Sequence, residues 1–123
     1  MRLSAVRLFV RELESAQRFY GIALGLALVA GDSRSGWLVF DLGGPQLVVE
    51  AVAEDAPPED QALVGRFTGL SLAVDDIECC YKQLRARGVS FDGAPERQAW
   101  GGMLATLRDP AGNQLQLVQT PNA

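Results

Sequence analysis

The sequence predicts an α+β fold built from two βαβββ modules. Three observations carry this. The chain repeats itself: Val6-Arg7-Leu8-Phe9-Val10 matches Leu70-Ser71-Leu72-Ala73-Val74, and Arg11-Glu12-Leu13-Glu14 matches Asp75-Asp76-Ile77-Glu78. Each copy is followed by apolar residues at helical spacing and then by three extended segments. An acidic stretch, Glu54 to Asp60 with Pro57-Pro58, separates the copies and reads as a linker. The modules then cover 1–53 and 67–123, joined by a linker over 54–66.

The first strand alternates, so Val6, Leu8 and Val10 share the face that packs on helices, while Ala5, Arg7 and Phe9 share the other. A helix over Leu13 to Ala23 follows. Glu12 and Glu14 suit its positive end, and Leu13, Ala16, Phe19 and Tyr20 form its apolar stripe. Leu24 to Ala30, Trp37 to Asp41 and Gln46 to Val52 are strand candidates. The turns between them are Gly31 to Gly36 and Gly43-Gly44-Pro45. In the second module Leu70, Leu72 and Val74 face the helix, and Gly69, Ser71 and Ala73 face away. Its helix runs from Ile77 to Arg87, with Asp76 as cap. Ile77, Cys80, Tyr81 and Leu84 point inward, and Gly88 stops the helix. Strands follow at Val89 to Phe91, Gly102 to Leu107 and Gln114 to Gln119, the last after the turn Asp109-Pro110-Ala111-Gly112-Asn113. Phe40 and Asp41 cannot be assigned a strand phase from pattern alone.

Composition narrows the function. Apolar residues make up 48% of the chain, which argues against disorder. The net charge is -4, and no basic stripe exists to neutralise phosphates, so nucleic acid is excluded as a partner. No apolar run reaches the roughly 20 residues of a membrane span. Nothing at the start reads as a signal peptide, so a cytoplasmic protein is expected. Cys79 and Cys80 are adjacent, and adjacent helical residues rarely form a disulfide. They are expected reduced and at least partly buried. Histidine is absent from the whole chain, which removes the usual activating base for a nucleophilic thiol.

The segment Trp100-Gly101-Gly102, then Arg108-Asp109-Pro110-Ala111-Gly112-Asn113, then Gln116-Leu117-Val118, resembles the vicinal oxygen chelate superfamily. Val10 through Phe19-Tyr20, with Leu24-Gly25 after it, adds a second signature. The superfamily includes glyoxalase I, extradiol dioxygenases and bleomycin-resistance proteins. The resemblance covers about residues 3 to 119 and implies a curved mixed sheet around a cavity. It also implies a homodimer, since a sheet covered on one face by a single helix leaves a second face and open edges.

Metal-dependent members place one ligand on the first strand and one on the last strand of each module. Here those positions carry Ala5, Gly69 and Gln116, with Val48 or, two residues on, Glu50 as the fourth. Alanine, glycine and valine cannot bind metal, and a neutral amide is a weak ligand. The expectation is no metal and no cofactor.

The residues facing away from the helices then become candidates for an organic ligand: Arg7, Phe9, Val48 and Glu50 from the first module, and Ser71, Gln114 and Gln116 from the second. Trp37 and Trp100 can stack on a planar group. The leading reading is a metal-free small-molecule binding protein of the glyoxalase and bleomycin-resistance type. It would sequester an aromatic or cationic antibiotic-like compound without covalent change. The alternative is a metal-independent lyase, isomerase or epimerase with Glu50 as general base, its pKa raised by burial.

Overall fold

Strand β1 (Ala5–Val10) opens the first of two sheets in the computed structural model, which describes residues 1–121. It lies parallel to β4 (Gln46–Ala51), which pairs antiparallel with β3 (Trp37–Asp41), and β3 pairs with β2 (Leu28–Asp32). The second sheet repeats this plan. Strand β5 (Phe67–Ala73) is parallel to β9 (Gln114–Gln119), followed by β8 (Met103–Arg108) and β6 (Ser90–Phe91), with β7 (Glu96–Arg97) also on β8. A parallel pair within one module needs a crossover, and the helix supplies it. The fold is the predicted α+β tandem of βαβββ modules.

The chain forms two compact units. One comprises Met1–Arg66 with Pro110–Asn113; the other comprises Phe67–Asp109 and the chain from Gln114. Asn122 and Ala123, the end of the second predicted module, lie outside the described residues.

In the first unit, alternation sorts β1 and β4 as expected, while β3 buries Leu38, Val39 and Phe40 in succession. Leu8, Val10, Leu38, Phe40, Leu47 and Val49 are buried on one face. Each large apolar side chain so buried contributes about 1.5–3 kcal/mol. The structure gives Phe40 its phase: it is fully buried, and Asp41 is on the opposite, exposed face.

The helix spans the predicted residues but changes geometry along the way. It is α-helical as α1 (Leu13–Gln17) and widens into a π-helix over Arg18–Ala23, closed by the Leu24 amide on the Phe19 carbonyl at 2.9 Å. Within it the consecutive Phe19 and Tyr20 both reach the core, with ring centroids 4.8 Å apart and edge to face. Leu24 still has helical dihedrals and Gly25 takes φ 74°, so β2 starts at Leu28 rather than at Leu24.

The linker holds a single helical turn, α2 (Pro58–Gln61), where an irregular stretch was expected. Its organiser is Gln61. The side-chain amide donates to the carbonyls of Ala53 at 2.8 Å and Glu54 at 3.1 Å, and its oxygen accepts from Arg11.

In the second unit, Ala105, Leu107, Leu115 and Leu117 are buried on the sheet face that carries α3 (Ile77–Ala86). Asp76 caps this helix as predicted, its carboxylate accepting from the Cys79 amide at 3.1 Å. Ile77 and Leu84 are buried, whereas Cys80 and Tyr81 are half-buried. Arg87 is the C-cap, and Gly88 follows at φ 89°. Cys79 is exposed, contrary to expectation, because the inward stripe of α3 passes through Cys80 instead. The short β7 was missed: two residues between Pro95 and Gln98 carry no periodic signal.

Among the described residues, no helix is long and apolar enough to cross a membrane.

Candidate functional site

Burying one face of each sheet leaves the other to solvent, and the candidate residues stand on those wet faces. In the first sheet, Ala5 pairs with Gln46, Arg7 with Val48, and Phe9 with Glu50. Trp37 stands across from Glu50, and Val39 from Val48. Residues directly opposite one another share a face. Arg7, Phe9, Trp37, Val48 and Glu50 therefore lie together, as alternation predicted for four of them. Trp37, whose face was left open by pattern, joins them.

The register brings two opposite charges into contact. The Arg7 Nε donates to Glu50 Oε2 at 2.5 Å, and Nη2 donates to Glu50 Oε1 at 3.0 Å. This is a bidentate fork, the stronger kind of guanidinium–carboxylate contact. The Arg7 guanidinium also lies over the Phe9 ring, 5.2 Å from its centroid. Hydrogen bonding to Glu50, and then its charge, pushes the Arg7 pKa above its already high ordinary value, so the cation is permanent. Glu50 was expected to favour a cationic ligand or to act as a base. Both its oxygens are engaged by Arg7, so its charge is already matched and either role requires the fork to open.

The second sheet carries a comparable fork that the sequence reasoning missed. Arg108 Nε donates to Asp92 Oδ1 at 2.7 Å, and the Gln114 amide donates to Asp92 Oδ2 at 2.9 Å. These hydrogen bonds hold the Asp92 carboxyl below the usual carboxylate range. Ser71 pairs with Gln116, Gln116 with Thr106, and Gln114 with Arg108, so these side chains share the wet face. The Gln116 amide approaches the Thr106 hydroxyl at 3.4 Å. A cavity of about 270 Å³ is lined there by Asp92, Glu96, Gln98, Thr106 and Gln116, among others. Strand alternation over Leu104, Thr106 and Arg108 was a signal that could have found this set.

The two tryptophans are exposed, Trp37 by 42% and Trp100 by 52%. Each lies over a glycine of its own unit. A Cβ on Gly31 would meet the Trp37 ring at 2.8 Å, and one on Gly102 would overlap the Trp100 ring. The missing side chains seat the indoles while leaving much of each ring open.

The residues at the family's metal positions do not fit a metal. Ala5 and Val48 have no donor, and Glu50 is held by Arg7. Gly69 has no side chain and sits at φ 73° in an irregular stretch of β5, where Phe67 pairs with Gln114 but Ser71 pairs with Gln116. The Thr68 hydroxyl stitches this bulge, donating to the Gln114 carbonyl at 2.8 Å and accepting from the Leu70 amide at 3.1 Å. Among the described residues, no group of three or more His, Cys, Asp or Glu could hold a metal ion. Burial pushes the Cys80 thiol pKa up, with Cys79 adding to the effect, which is the wrong direction for a nucleophile.

Comparison with known proteins agrees with this architecture. A bleomycin resistance protein of Klebsiella pneumoniae is 33% identical over 116 residues, covering 89% of this chain and 85% of that protein. A crystal structure of a Glyoxalase/bleomycin resistance protein/dioxygenase superfamily member from Sphaerobacter thermophilus superposes with a TM-score of 0.78 at 30% identity, covering 97% of each chain. The structure of TnmS3, an antibiotic binding protein from Streptomyces sp. CB03234, superposes with a TM-score of 0.76 at 30% identity, covering 98% of this chain and 96% of that one. The profile of one superfamily matches residues 2–117, nearly the whole chain. The chain belongs to the Glyoxalase/Bleomycin resistance protein/Dioxygenase superfamily.

Proposed function

We propose that this protein binds a small organic molecule on the wet face of its first sheet and sequesters it without covalent change. One observation carries the reading. The first sheet presents an aromatic and polar surface, Phe9, Trp37, Val48 and the Arg7–Glu50 fork, on the face its core does not use. Such a surface joins stacking area to a few fixed donors, the usual makeup of a ligand site. The second unit carries a polar surface of its own, with amides and hydroxyls at Ser71, Thr106, Gln114 and Gln116 and an exposed Trp100 ring. The likeness to a bleomycin resistance protein and to an antibiotic binding protein supports an aromatic, antibiotic-like compound as ligand. The reading also includes a homodimer, which would cover sheet surface that a single copy leaves wet.

Titration of tryptophan emission with planar aromatic and glycopeptide-like compounds tests the binding. A saturable change that is lost in Trp37→Ala is expected. A flat response to every compound would remove the reading. Light scattering coupled to gel filtration tests the dimer, and a monomer mass at 50 μM would reject it.

A further inference from the structure

The charge state of the first sheet's wet face defines which ligand it can take, and this inference rests on the small-molecule reading above. Arg7 has five N–H donors. Two are spent on Glu50, and among the described residues the other three have no protein acceptor. The two-point fork fixes the guanidinium plane. One side of the group lies against the Phe9 ring at 5.2 Å, while 61% of the Arg7 side chain remains exposed. A planar cation held by a carboxylate and backed by an aromatic ring is rigid before any ligand arrives. Its net charge with Glu50 is zero.

We propose that Arg7 is a stacking platform, not a counter-ion, and that this face selects an uncharged planar ligand. An electron-rich neutral ring gains from stacking on guanidinium. A cationic ring would meet the same guanidinium with repulsion, because Glu50 is already neutralised. Trp37 shares this face and stands across the strand pair from Glu50, so its emission serves as the reporter of occupancy.

Two tricyclic probes of nearly the same outline separate the possibilities: acridone, which is neutral, and proflavine, a cation. Binding is measured by isothermal titration calorimetry, with Trp37 emission read in a Trp100→Phe background. Acridone is expected to bind at least tenfold more tightly than proflavine. Arg7→Lys keeps the charge but loses the plane, and it should weaken acridone more than fivefold with an unchanged melting temperature. Glu50→Gln removes the neutralising charge and should weaken proflavine further. Proflavine binding as tightly as acridone, or acridone binding Arg7→Lys as well as the parent, would overturn the platform while leaving a small-molecule site standing. No saturable binding of either probe, together with no response to the broader compound panel, would overturn both.

Discussion

The two units use one topology to build cores of different depth. In the first, β1 buries Leu8 and Val10, and the helix adds Leu13, Ala16, Phe19 and Tyr20. In the second, the matching strand β5 buries no residue fully, and α3 contributes only Ile77 and Leu84. The difference begins in the helices. Along α3 the neighbouring pair on the inward stripe, Cys80 and Tyr81, stays half-buried. The π-helical stretch of the first unit places two successive aromatics inward, and Tyr20 continues the contact to Phe40 at 5.9 Å. The second unit compensates with better helix ends: an Asp76 cap, and Gly88 after the C-cap.

The turns that lead into β4 and β9 also differ, although Asp41 and Asn113, which hold them, both belong to the first unit, and here the largest effect is expected. The turn before β4 is held by an exposed Asp41 side chain accepting from the Gly43 amide. Asn113, before β9, is fully buried; its oxygen accepts from the amides of Gly65 at 2.9 Å and Arg66 at 3.3 Å, and its nitrogen donates to the Phe9 carbonyl at 2.8 Å. Asn113→Ala strands these groups, at about 1–3 kcal/mol for each one left buried and unpaired. A loss of roughly 4 kcal/mol in urea unfolding is expected for Asn113→Ala, against under about 1 kcal/mol for Asp41→Ala. Equal losses would erase the contrast between the turns.

A matched pair of core truncations tests the difference in depth. Leu8 is 1% exposed, and its repeat partner Leu72 is half-buried. Leu8→Ala should cost about 3 kcal/mol and Leu72→Ala about half that. Chemical denaturation of the two variants measures both, and a larger loss at Leu72 would reverse the ranking of the cores.

Some of this contrast was legible in the sequence. Strands β3 and β9 were read to the residue, because Gly-Pro and Asp-Pro-x-Gly-Asn turn chemistry brackets them and their interiors are β-formers. The faces of β1, β4 and β9 followed from alternation alone. The start of β2 did not, because the apolar run from Leu24 to Ala30 fits a helix tail as well as a strand. The π-helix was invisible, since Leu13 to Ala23 keeps an ordinary helical pattern. Above all, the Arg7–Glu50 fork is a matter of parallel register between β1 and β4. Sequence placed both residues on one face, but not within hydrogen-bonding distance of each other. Asp92 escaped notice because it lies beyond a strand end, where no period marks it.

Helix starts offer a smaller test. Asp76 accepts from its helix, whereas Glu12 at the N-cap of α1 makes no side-chain cap bond. Asp76→Ala should cost about 1 kcal/mol and Glu12→Ala only a few tenths. Thermal melts of the two variants would refute this if Glu12 proved the costlier.

The smallest effect concerns the Asp92 fork of the second unit in acid. The Asp92 pKa is lowered in the folded protein by hydrogen bonds from Arg108 and then Gln114. A carboxyl whose folded pKa lies below its unfolded value binds fewer protons in the folded state across that interval. Its stabilising contribution is therefore complete above the ordinary aspartate pKa of about 4 and is lost as pH falls through the folded value. Asp92→Asn removes this dependence. The difference in melting temperature between the parent and Asp92→Asn should be constant from neutral pH down to about pH 5, then shift steadily in disfavour of the parent on further acidification. The pair is solvent-exposed, so the change should be small and should shrink further in high salt. A difference that stays flat down to pH 2 would show that the fork positions Gln114 without contributing to stability.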